Sequence, residues 1–263
     1  MEPSAELTMP APLPAALQQR RFVAYHKWDR KFFLVFLALC WLGVLMGFAP
    51  AAIKRYDGHA NYPAPLILEI HAFAFSAWML LLTAQIALIR TRRPKIHMKL
   101  GLAAFALVPI MAISGSLSEL YGQRFRLAHQ PPGDLPFLII AIFDVVAFTV
   151  LAGAALAARK NPAAHKRLVL LATTIIVGAA YSRWWADPLY NLFGEGYVGL
   201  AIYTYTGTNL LLVGALGYDW LTRRGLHPVY AIAVPAILAG EVATTIVYHA
   251  PKWLPVARVL IGR

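Results

Sequence analysis

Residues 66–89 read LILEIHAFAFSAWMLLLTAQIALI, a run whose single formal charge is Glu69 and which contains neither Gly nor Pro. As a helix it would measure ~36 Å at 1.5 Å per residue, enough to cross ~30 Å of bilayer hydrocarbon. Its apolar residues are continuous and do not alternate, so it predicts a transmembrane α-helix and not a strand of a membrane barrel.

Six further runs have the same character, at 32–53, 100–117, 135–158, 168–182, 197–216 and 229–248. The expected fold is therefore all-α, a bundle of seven transmembrane helices occupying 23–263. Composition agrees: 263 residues, 59% hydrophobic and 14% charged, with a mean hydropathy of +0.59. Soluble domains carry ~25% charged residues. The single cysteine, Cys40, excludes an intrachain disulfide and any cysteine-paired metal knuckle.

The net charge of +12 is explained by its placement. Sixteen of the 24 basic residues fall before the first run or between runs two and three, four and five, and six and seven. The eight others lie on the opposite side. This bias predicts a cytoplasmic N-terminus and an external C-terminus in a bacterial inner membrane, with a lipid bilayer and no nucleic acid as partner. Residues 1–22 are rich in Pro and Ala without sustained periodicity and predict a disordered cytoplasmic tail. Residues 118–134 (SELYGQRFRLAHQPPGD) read as the one long external loop.

Two stretches align at an offset of 68: PKIHMKLGLAA (94–104) and PAAHKRLVLLA (162–172). Each opens a run from the cytoplasmic side, which suggests a repeated helical hairpin, although two Pro-initiated basic helix starts would look the same. In the first run, Gly43 and Gly47 form a small-residue face suited to close helix packing.

Ionisable side chains inside such runs cost ~2.5–3.5 kcal/mol each on insertion scales and normally face the bundle interior with a partner. Glu69, His71, Asp144 and Glu241 are of this kind. His71, Asp144 and Glu241 fall roughly 8, 13 and 11 Å below the external ends of their runs. Arg183, closing the fifth run, is placed to reach them. Glu241, Thr244, Thr245 and Tyr248 share one face of run seven; Tyr205, Thr208 and Asn209 share one face of run six; His71, Trp78 and Gln85 recur every seven residues along run two. Two readings stand. In one, these stripes line an outward-half cavity for a proton, an ion, a quinone or a small polar substrate. In the other, Asp144 and Glu241 pair with Arg183 and His71 and merely fix helix register.

Of eight histidines, His26, His97, His165 and His227 lie at the cytoplasmic boundary, where capping a helix or meeting lipid phosphate is the ordinary role. The alternative is that His97 and His165, matched in depth on the repeated helices, jointly ligate haem iron or a metal. Gly194, Gly196 and Gly199 match a dinucleotide-binding pattern only by letters, since no strand precedes them. Every lysine lies outside the apolar runs.

His71 with Trp78 and Gln85, His97-Met98-Lys99-Leu100-Gly101, His165-Lys166-Arg167-Leu168 and Arg183 together resemble a loose group of bacterial multi-pass inner-membrane proteins of unassigned activity. That resemblance covers about residues 66–183 and implies an integral membrane protein, a bound haem b among its options. A weaker similarity is to cytochrome b561-like and ferric-reductase-like proteins, which stack two haems on histidines ~13–14 residues apart on one helix (~20 Å). Fourteen residues beyond His71, His97 and His165 stand Gln85, Met111 and Ala179, so the paired pattern is missing.

Three functions follow as expectations. The first is redox chemistry or electron transfer with haem or quinone in the outward-half cavity. There His71, Asp144, Glu241 and Arg183 would be catalytic, and His71, His97, His165, Asn209 and Tyr248 would hold the cofactor. The second is proton-coupled transport of a small molecule through the same carboxylates. The third is a non-catalytic assembly or accessory subunit.

Overall fold

The computed structural model describes residues 22, 24–60, 63–129 and 134–263. The tail expected over 1–22 lies outside them, Phe22 excepted. The described chain is helical: α1 (Asp29–Tyr56), α2 (Leu66–Arg90), α3 (Pro94–Gly101), α4 (Ala103–His129), α5 (Leu138–Ala157), α6 (Pro162–Phe193), α7 (Tyr197–Arg223), α8 (Pro228–Tyr248) and α9 (Trp253–Leu260). Helices α3 and α4 form one crossing that breaks at Leu102, so seven segments are long and apolar enough to span a membrane.

Two boundaries differ from expectation. The fifth crossing, whose apolar core is expected at 168–182 with extension to His165 and Trp184, runs further, from Pro162 to Phe193. Its first turn is set by Asn161, whose side chain accepts from the Ala164 N–H at 3.2 Å, with Pro162 in the first helical position. The external loop expected at 118–134 is helix as far as His129. There Glu119 accepts from Gln123 at 2.7 Å and from Arg126 at 2.9 Å, and Arg124 donates to the Ile261 carbonyl beyond α9. Hydropathy registers the loss of apolar character at both places; α6 starts earlier because of its cap and proline, and α4 continues because side-chain pairs one and two turns apart support it.

Helix α6 is the axis of the bundle. Two-thirds (67%) of its apolar window is buried, against 22% for α1 and α2. Small residues let its neighbours approach. A Cβ on Gly47 of α1 would stand 2.1 Å from the Ala180 carbonyl oxygen, and one on Gly207 of α7 would stand 2.2 Å from the Tyr181 side chain. The close packing expected of Gly43 and Gly47 is thus directed at α6. Polar bonds add register: Tyr181 Oη donates to the Leu39 carbonyl at 2.8 Å, and Trp78 Nε1 donates to Thr173 Oγ1 at 3.2 Å.

One end of the bundle is locked by charge. Arg167 on α6 and Asp219 on α7 are each 2% exposed and meet in a bidentate pair, Nε–Oδ2 2.7 Å and Nη2–Oδ1 2.6 Å. Beside them Asp29 accepts from Lys166 (2.7 Å), Arg223 (2.8 Å), Tyr218 Oη (2.6 Å) and the His26 N–H (2.9 Å). Phe22 lies 4.6 Å from the Arg167 guanidinium. Arg167, Lys166 and Arg223, which the sequence reading counted among loop cations, are therefore interior ties between α1, α6 and α7. His227 takes the ordinary boundary role: its Nδ1 accepts from the Val229 N–H at 3.1 Å and caps α8. Burial and the neighbouring Arg167 hold its pKa down at about 4, so the cap stays neutral.

Removing one member of a buried pair strands the other charge, at a cost of ~3–5 kcal/mol, whereas replacing both by apolar groups costs far less. Asp219→Asn should therefore lower the unfolding midpoint in detergent sharply, and Arg167→Met/Asp219→Leu should recover most of the loss. Cys40, fully buried and the sole thiol, reports opening through its rate of maleimide labelling. Equal stability of the single and double variants would remove the lock.

Candidate functional site

At the other end the polar stripes of the sixth and seventh crossings face each other. Glu241 on α8 is 6% exposed. Its Oε2 accepts from Asn209 Nδ2 of α7 at 2.9 Å, and its Oε1 is buried with no hydrogen-bond partner. One turn further out, Tyr205 Oη and Thr244 Oγ1 are 2.6 Å apart. Thr244 and Thr245 also donate to the Glu241 carbonyl, at 3.0 and 2.7 Å, the usual back-bond of a helical threonine.

Asp144 approaches from α5. It is half-buried, and its nearest influential charges are Glu241 and Arg183. The approach of α5 to α8 depends on Gly240, where a Cβ would stand 2.1 Å from the Phe143 ring, the residue preceding Asp144. Pro235, one and a half turns before Glu241, lies inside α8. It has no N–H to give the Ala231 carbonyl and so weakens the helix beneath the carboxyl.

The other predicted residues divide between separate places. Arg183 is exposed; its Nη1 donates to the Ala179 carbonyl at 2.9 Å and its guanidinium lies 4.9 Å from the Phe48 ring. His71 packs on Phe75 at 4.3 Å between ring centres, its Nδ1 is buried without a partner, and its influential charges are Arg183 and Glu119. The Arg183 charge thus acts on both His71 and Asp144. Tyr248, though on the Glu241 face of α8, donates to Asp134 Oδ1 at 2.9 Å. Burial raises the Asp134 carboxyl above its ordinary range, with that hydrogen bond opposing. Glu69 is exposed in the first turn of α2.

His97 and His165 do meet, with ring centres 6.4 Å apart and ring planes at 87°. Sequence reasoning missed Glu119 as a neighbour of His71, because it fell in a stretch read as loop. It also missed Asp29 and Asp219; an acid just beyond the end of an apolar run was the one available signal for Asp219. Among the described residues, no three His, Cys, Asp or Glu side chains group as a metal cage.

Asn209 supplies the hydrogen bond on Glu241 Oε2. Asn209→Leu should destabilise the protein by about 1–3 kcal/mol, the usual cost of stranding a buried polar atom. Adding Glu241→Leu should restore most of that loss, read as thermal midpoints in one detergent. Additive losses in the double variant would mean that the two side chains do not act on each other. No family model, curated protein or solved structure matches this chain.

Proposed function

We propose that this integral membrane protein is a proton-coupled carrier of a small polar solute, with Glu241 as the proton-exchanging group and Asp144 as its partner. The observation that carries this reading is the Glu241 side chain: buried, one oxygen bonded to Asn209, the other open. A carboxyl oxygen left unmatched inside an apolar bundle is satisfied by a proton, a cation or a donor on an incoming solute. A second carboxyl, Asp144, stands within electrostatic range. Exchange of one proton between the two is the role this reading assigns them.

Transport is favoured over quinone or haem chemistry at this site by the helix that carries Glu241. Pro235 removes a backbone hydrogen bond from α8, which otherwise runs unbroken from Pro228 to Tyr248, and a helix weakened beneath its carboxyl can bend there. Gly240 sits on Phe143, so a tilt of α8 would move Glu241 relative to Asp144. The bias of basic residues supports a cytoplasmic N-terminus and a bacterial inner membrane; on that reading the site would lie in the outward half.

The test is electrical. Protein reconstituted in proteoliposomes on a solid-supported membrane is challenged at constant pH with a panel of amino acids, sugars, organic acids and amines. At least one class should evoke a current that reverses with an imposed proton gradient. Glu241→Gln should reduce that current by more than about tenfold, while a substitution outside the site, Glu69→Gln, leaves it intact. A current unchanged in Glu241→Gln, or none from any class, would contradict the proposal.

A further inference from the structure

At the opposite end of the bundle from Glu241, His97 of α3 and His165 of α6 face each other with Gln85 of α2 beside them. His165 Nδ1 bonds the Ala155 carbonyl at 2.8 Å. A ring nitrogen that bonds a carbonyl carries the proton, so Nε2 of His165 is left as the lone-pair nitrogen. His97 lies beside the Gln85 main chain, and its Nδ1 is buried with no partner. Gln85 Oε1 is likewise buried with no partner. The Gln85 amide lies over Gly101, one turn beyond His97, with Nε2 3.1 Å from where a Cβ would be.

The His165 imidazole is therefore anchored through one nitrogen on a main-chain carbonyl, which is how metal-binding histidines are usually oriented. With a metal–nitrogen bond of ~2.0–2.1 Å, an ion lies roughly 3.2 Å from each ring centre, so two rings sharing it stand roughly 5.2 Å apart at a tetrahedral angle and roughly 6.4 Å apart on opposite sides of the ion. The observed separation is 6.4 Å, so a tetrahedral ion would draw the two rings together by about 1 Å.

From this juxtaposition we propose that His97 and His165, with the Gln85 amide oxygen completing the set, bind one late first-row transition-metal ion. Imidazole nitrogen selects zinc, copper or nickel over magnesium or calcium. Water fills the remaining position, and the ion ties α2, α3 and α6 together at their shared end. The site is independent of the Glu241 carboxyl, and either assignment can fail without the other.

The probe is Zn2+ added to tag-free, chelator-stripped protein in detergent. We expect about one zinc per chain after desalting and a rise in unfolding midpoint on zinc addition. His97→Gln and His165→Gln should each weaken retention at least tenfold and abolish the midpoint shift, whereas His59→Gln, which alters an exposed histidine, should do neither. Each variant keeps a polar side chain at its position, and its midpoint without zinc shows that it folds. Zinc content and midpoint shift indistinguishable among wild type, His97→Gln and His165→Gln would overturn the assignment. So would a wild-type protein that takes up no zinc, or a haem absorption band lost with His97.

Discussion

Arg167 and Asp219, each 2% exposed, hold each other at one end of the helical packing, where a buried charge must be matched. Their bidentate contact fixes α6 against α7 in rotation and in height. With that register set, Gly178 meets Thr208 and Gly207 meets Tyr181, contacts too close to survive a shift of one residue. The same register carries Asn209 to the height at which α8 presents Glu241. The geometry of the carboxyl site is thus inherited from an ion pair at the far end of the same two helices.

The two ends of the bundle are finished in opposite ways. Around Asp29 and Asp219 every acidic oxygen is surrounded by guanidinium, ammonium or phenol donors. Such saturation leaves nothing to exchange and resists change. Around Glu241 there are two carboxyls, one amide donor and an open oxygen. A buried group left in that state raises the energy of the folded chain, and the structure around it, with Pro235 and Gly240 on the same helix, is the more deformable end. Stability is concentrated at one level of the bundle and chemical opportunity at another.

Much of this was legible in the amino-acid sequence, for identifiable reasons. The seven crossings follow from continuous hydropathy, since lipid demands it along the whole length. The stripes on α7 and α8 follow from helical periodicity, and Asn209 and Glu241 indeed meet. His97 and His165 were paired by their matched positions in two similar helix starts, and they face each other. What escaped was anything that depends on where a crossing ends. Arg167 near a basic boundary looks like any loop cation until Asp219 is seen opposite it. Glu119 sat in a segment too polar for hydropathy to mark as helix, and so its proximity to His71 was hidden. Tyr248 shares a face with Glu241, but the chain before α5 brings Asp134 to its hydroxyl first. Periodicity assigns a side chain to a face; only tertiary packing decides which neighbour reaches that face.

The central claim is that Glu241 exchanges a proton while buried among α5, α7 and α8. Infrared difference spectroscopy of the reconstituted protein, stepped in pH in H2O and D2O, observes the carbonyl stretch of a protonated carboxyl directly. The account predicts a band that appears and disappears reversibly with pH, shifts in D2O, vanishes in Glu241→Gln and changes frequency in Asn209→Leu. A wild-type band that persists unaltered in Glu241→Gln would show that the proton resides elsewhere and would contradict the account.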